Sequence, residues 1–204
     1  MIYVYAIAEA PADVGAAGIL GAPVRTVVSG PLAAVVSTIE EPPAAEPPAL
    51  LSHEAVVEAV MAAHTVLPVQ FGMTLPSEDD LAALLDRRRE GFRERLEEVR
   101  GCVELSVRVR WDPAEPDSAV SGRRYLEDRQ HEHRRADAFH APLAGLARAA
   151  TTRSEPGLLT AAYLVPAEEV GPFTGRVAAI RDQHPALDCS CTGPWPPYSF
   201  VGAR

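Results

Sequence analysis

Three groupings in the 204-residue chain carry side chains able to do chemistry. His131-Glu132-His133 sets two imidazoles and a carboxylate side by side, a set that could ligate zinc. Residues two apart on a helix point about 200° away from each other, however, and helical two-histidine zinc sites use a spacing of four. A solvated helix face is the expectation. Cys189-Ser190-Cys191 on a strand would set both sulfurs on one face. Tetrahedral zinc needs two more ligands, and no second cysteine or histidine pair of suitable spacing exists in the chain. Core packing is the simpler role for these thiols. A serine or cysteine nucleophile needs a base and an orienting acid. His53, His64, His140 and His184 all fall in segments of helical spacing, and none stands in a glycine-rich elbow. Gly15, Gly18 and Gly21 are followed by neither lysine nor a helix cap, which removes a phosphate loop. No catalytic residue, metal ligand or cofactor site is assigned.

The third grouping is the tail Gly193-Pro194-Trp195-Pro196-Pro197-Tyr198-Ser199-Phe200. Its prolines stiffen the backbone, so the rings can be presented at little entropic cost. Two readings are open. The rings pack back on a C-terminal sheet, or Trp195, Tyr198 and Phe200 form a partner-binding surface.

Composition narrows the class. With 47 % apolar and 23 % charged residues the chain has enough apolar material for a packed core and is not a disordered one. The net charge of −9 is unevenly spread. Residues 1–86 hold eleven acids against the single Arg25, whereas residues 87–153 hold fifteen arginines interleaved with twelve acids. A nucleic-acid surface would want a one-signed patch with interleaved aromatics, so nucleic acid is not an expected partner. The longest weakly polar run, Val14 to Val24, is about half a membrane span and is interrupted by Gly15, Gly18, Gly21 and Pro23. No lipid membrane is expected. Met1 to Tyr5 lacks the basic start of a secretory signal and reads as a strand. Together with three cysteines, an odd number, this points to a cytoplasmic protein with reduced thiols.

The elements follow from periodicity. Residues 2–8 fit a buried strand, and Val24 to Val28 and Leu32 to Ile39 flank Ser29-Gly30-Pro31 as a hairpin. Residues 40–49, with four prolines, read as a mobile linker. Ser52 then caps a helix carrying Val56, Val57, Val60 and Met61. Val66 to Leu75 reads as one buried strand, and Ser77 starts a helix running to Gly101. Cys102 to Trp111 alternates apolar residues with Glu104, Ser106, Arg108 and Arg110, the pattern of a half-exposed strand. A long helix is expected over 122–149 with Tyr125, Leu126, Ala136, Phe139, Leu143 and Leu146 inward. A hairpin around Glu155-Pro156-Gly157, a helix bearing Val170, Phe173, Val177, Ile180 and His184, and a strand over 186–192 complete the chain. The order from Cys102 onward is therefore the βαββαβ unit of ferredoxin-like domains. The fold class is α+β with two small domains. The proline-bearing loop 112–118 sets the division at 1–111 and 112–204, within the window 99–121.

Six segments, in order, resemble the gas vesicle GvpL/GvpF family: Tyr3 to Ile7; Gly30 to Ser37; His53 to Val57 followed by Val66 to Gly72; Gly122 to Leu126; Tyr163 to Val165; and the tail Gly193 to Phe200. Gln70 stands where that family's element carries a basic residue, which touches no proposed chemistry. The resemblance implies a minor, non-enzymatic gas vesicle component with two α+β domains, the second ferredoxin-like. It also implies association with the major gas vesicle shell protein and other accessory proteins, in assembly or in the wall. It does not separate the L from the F type. Competing classes are a ligand-sensing ferredoxin-like module and a metalloenzyme built on the cysteines.

Overall fold

The computed structural model describes residues 1–10, 17–111, 134, 136–185 and 187–202. The chain divides into two compact units, Met1–Gly101 with Pro196–Arg204, and Cys102–Trp195. The division falls after Gly101, inside the window 99–121 and before the 111/112 position set by the loop. The strand that follows Gly101 bonds on both edges to later strands, so it belongs wholly to the second sheet. From Pro196 the tail returns to the first unit, unlike its expected place in the C-terminal domain.

In the first unit β1 (Ile2–Glu9), β2 (Arg25–Ser29), β3 (Leu32–Thr38) and β4 (Val66–Pro68) form an antiparallel sheet of order β2-β3-β1-β4, with β5 (Thr74–Leu75) also on β1. A register shift between Val4 and Ala6 makes a bulge. It flips the side-chain phase, so Tyr3 and Tyr5 before it and Ala6 and Ala8 after it enter one core. That core is completed by Ala49, Val56, Val57 and Val60 of α1 (Pro47–Ala63). Ile2, Val4 and Ile7 are buried outside that core, and α2 (Glu78–Arg87) and α3 (Arg89–Val99) contact β1, β2 and β4. The sheet is covered on both faces.

Three expectations for this unit are corrected. Helix α1 begins at Pro47, not Ser52, with prolines in its first two positions, where an absent N–H leaves nothing unpaired. Ser52 lies within the helix and its hydroxyl donates to the Pro48 carbonyl at 2.9 Å. The expected single strand over 66–75 is two short ones, because the chain turns at Phe71-Gly72. The helix expected from Ser77 to Gly101 is broken at Arg88 (φ −107°, ψ 15°), whose guanidinium lies 5.4 Å from the Phe92 ring centroid. Its start is as expected, with the Ser77 hydroxyl accepting from the Asp80 N–H at 3.1 Å.

The second unit runs β6 (Cys102–Arg110), α4 (helical over 136–144), β7 (Ala149–Glu155), β8 (Leu158–Pro166), α5 (Val170–Gln183) and β9 (Asp188–Trp195). The sheet order β7-β8-β6-β9, antiparallel throughout, is that of a ferredoxin-like fold. One face gathers Leu105, Val107 and Val109 of β6 with Leu159, Ala161, Tyr163 and Val165 of β8, at a period of two. Phe139 and Leu143 of α4 and Phe173, Val177 and Ile180 of α5 close over it. Helix α4 ends at residue 144, five residues short of expectation, because Ala149 already pairs with Leu164. Tyr125, Leu126 and the His131-Glu132-His133 group lie outside the described residues. Glu104, expected outward, is only 6 % exposed; it stands on a central strand opposite Trp195.

Candidate functional site

The tail begins inside the second sheet. Glu104 pairs with Trp195 and Ser106 with Thr192, so the ladder skips a residue as it passes Gly193 and Pro194. Gly193 has φ 117°, and a Cβ on it would lie 2.7 Å from the Glu104 carbonyl oxygen and 3.2 Å from Trp195 Cδ1. Glycine is required here by both backbone and space. Beyond it Trp195 is 38 % exposed, and its indole N–H donates to the Thr192 hydroxyl at 3.3 Å.

Pro196 and Pro197 are buried, and Tyr198–Phe200 forms one turn of 3-10 helix in the first unit. Tyr198 N–H donates to the Pro196 carbonyl at 2.8 Å and Phe200 N–H to that of Pro197 at 3.1 Å. Arg95 of α3 donates to the Phe200 carbonyl at 3.3 Å. Tyr198 is half-buried against the core holding Tyr3 and Tyr5. Burial raises its phenol, with Glu54, Tyr3 and Glu58 adding to the effect. The three candidate rings are thus not one cluster. Trp195 closes the second unit, while Tyr198 and Phe200 belong to the first.

Behind Tyr198 stands a polar–aromatic network that periodicity could not disclose. His53 stacks on Tyr5 with centroids 5.6 Å apart and meets Tyr3 and Phe71 edge-on. The Val69 carbonyl can only accept, so His53 Nε2 donates to it at 3.0 Å and Nδ1 accepts from the Tyr3 hydroxyl at 2.8 Å. Gly72 N–H donates to the same hydroxyl at 3.3 Å. Both ring nitrogens are used in the neutral form. Burial lowers the His53 pKa below its usual 6.5, and burial raises that of Tyr3 to about 12. A neutral, saturated imidazole beside a protonated phenol holds structure; it is no general base. The thiols of Cys189 and Cys191 give the same answer: both are half-buried, burial raises their pKa values, and they pack against the second core opposite Val109 and Val107 on one face of β9. Among the described residues no group of three or more metal-binding side chains is gathered, and no helix is long and apolar enough to cross a membrane.

The His53 network has a pH signature. A histidine whose folded pKa is depressed is protonated more readily in the unfolded chain, so its stabilisation is complete above about 6.5 and declines as pH falls from there to the folded pKa. Melting temperature should therefore fall between pH 7 and 5.5. His53→Leu should melt lower at pH 7 and show a smaller fall over that window; an equal fall would assign the effect to other groups.

The sequence matches the family model described as gas vesicle synthesis protein GvpL/GvpF over residues 1–136 and 122–202. It is 29 % identical to gas vesicle protein F of a Streptomyces species, covering 98 % of each chain. It is 31 % identical to gas vesicle protein L of the same organism, covering 98 % of this chain and 92 % of the relative. In fold it is similar to the crystal structure of the gas vesicle protein GvpF from an Anabaena species, with a TM-score of 0.83, 22 % identity, and coverage of 100 % of this chain and 96 % of that one.

Proposed function

Because the chain belongs to the gas vesicle GvpL/GvpF family, we propose that it is a non-enzymatic accessory protein that binds the gas vesicle shell protein, during assembly or in the wall, and that Trp195 is part of the contact. It would act in the cytoplasm on the forming vesicle, alongside other accessory proteins, and needs no metal or cofactor. The observation that carries the contact is the state of the tail. Pro196 and Pro197, which lead directly into the 3-10 turn, are buried, while the indole of Trp195 before them stays 38 % exposed. A ring held on an already ordered backbone loses little entropy on binding, which is what makes tryptophan a strong interface anchor. Tyr198 and Phe200, half-buried, hold the shape of the tail and offer their remaining surface.

The assignment is tested on purified vesicles stripped with urea. Antibody against this chain should detect it in the stripped fraction if it sits in the wall, and in assembly intermediates if it acts only then. Absence from both would contradict the proposal. A ligand-sensing module would instead show a melting shift with a small metabolite and no enrichment on vesicles.

A further inference from the structure

We propose that the first unit carries a second docking surface, made by the 19–21 turn and the outer face of α1, for an amphipathic helical segment of a partner protein whose apolar stripe is flanked by lysines or arginines.

Leu20 is 75 % exposed and sits at φ 54°, ψ 22°, the one non-glycine residue at positive φ among those described. A leucine in the left-handed region is strained, and such strain persists only where the surroundings impose it. Here they do. Ile19 beside it is fully buried, and the Ile19 N–H donates to the buried Tyr5 hydroxyl at 2.8 Å. The turn is pinned, and Leu20 is held outward.

The turn packs on α1, and Ile19 shares a core with Ala49. The next two residues of α1, Leu50 and Leu51, are 40 % and 69 % exposed. Single exposed leucines are ordinary; here three stand on two elements that contact each other. Leu51 leads a stripe continued by Ala55 and Ala59, both small and exposed, a face on which a second helix can lie close.

Charge selects the occupant. Glu46 and Glu54 stand four residues either side of Leu50, Glu58 follows seven after Leu51, and α1 contains no lysine or arginine. Arg25 and Arg87 are the nearest basic residues along the chain. The tail packs on the same core, since Tyr198 lies against the cluster that holds Ile19 and Ala49. It does not depend on the shell protein being the partner.

The probes are two labelled synthetic helical peptides of about 15 residues, long enough for four turns, with leucines at helical spacing and either lysine or glutamate elsewhere. Fluorescence anisotropy with the full chain should show binding of the lysine peptide, weakened by salt, and none of the glutamate peptide. The double variant Leu20→Gly with Leu51→Ser should bind the lysine peptide about tenfold more weakly or worse. Its melting temperature should be unchanged or higher, because both side chains are exposed and glycine suits the Leu20 backbone. Glu58→Lys, at an exposed position, should weaken the lysine peptide without touching the leucines. Equal affinity in the double variant, equal binding of the two peptides, or no binding by the wild-type chain would overturn the proposal.

Discussion

Gly18→Ala is expected to remove about 3 kcal/mol or more of stability from the first unit, since it must orphan at least two buried polar groups at about 1–3 kcal/mol each. A Cβ at this position would press on the Tyr5 hydroxyl and lie 2.6 Å from Ser37 Oγ and 2.8 Å from the Ala22 carbonyl oxygen. None can yield cheaply. The Ile19 N–H donates to Tyr5 Oη at 2.8 Å, Tyr5 donates to Ser37 Oγ at 2.9 Å, and Ser37 donates to the Pro23 carbonyl at 2.9 Å. The chain of donors ties the 17–24 segment to β1 and β3, and Gly18 N–H itself donates to the Ala22 carbonyl at 3.0 Å. A methyl group there breaks the relay or opens the turn. The melting temperature should drop by roughly 10 °C. Tyr5→Phe, which deletes the hydroxyl without adding bulk, should cost less. A Gly18→Ala protein that melts with the wild type would show that the turn is looser than described.

Gly193→Ala should be comparably severe in the second unit. The clash is with the backbone oxygen of Glu104, 2.7 Å away on a strand bonded along both edges, and with Leu105 Cδ2 at 2.9 Å. Relief requires moving β6 or lifting β9 from it, in addition to the strain of alanine at φ 117°. The expected loss is about 3 kcal/mol or more, in the range of forced backbone shifts and overpacking. Because Trp195 lies two residues on, its fluorescence reports the change. Trp195 is exposed and Trp111 buried in the wild type, so altered acrylamide quenching should accompany the destabilisation. Unchanged melting and quenching would refute the tight fit at Gly193.

The second unit was the more legible half of the sequence. The Val170, Phe173, Val177 and Ile180 stripe has one solution, a helix with that face inward, and alternation over Leu105, Val107 and Val109 has one as well. Reading elements by local period fails where the deciding contact is distant. Proline at the head of α1 looks like a linker until its helix-start position is known. The break at Arg88 lies within residues that all favour helix. The bulge in β1 hides which of its buried residues face α1. Proline and aromatic chemistry singles out Trp195, Tyr198 and Phe200 as candidates, but their partition between two units depends on where the last strand ends. Leu20 carried no signal at all; a leucine with positive φ is visible only in the fold.

The proposed contact of this chain with the gas vesicle shell protein includes Trp195. Its most direct test is the affinity of wild type and Trp195→Ala for purified shell protein under assembly conditions, with both melting temperatures measured alongside. Removing an anchoring ring typically costs about 2 kcal/mol, roughly thirtyfold in affinity, and Trp195, 38 % exposed, lies outside the second unit's core. That loss of affinity is expected with melting nearly unchanged. Undiminished affinity in Trp195→Ala, a large melting drop in its place, or no association by the intact protein would contradict it.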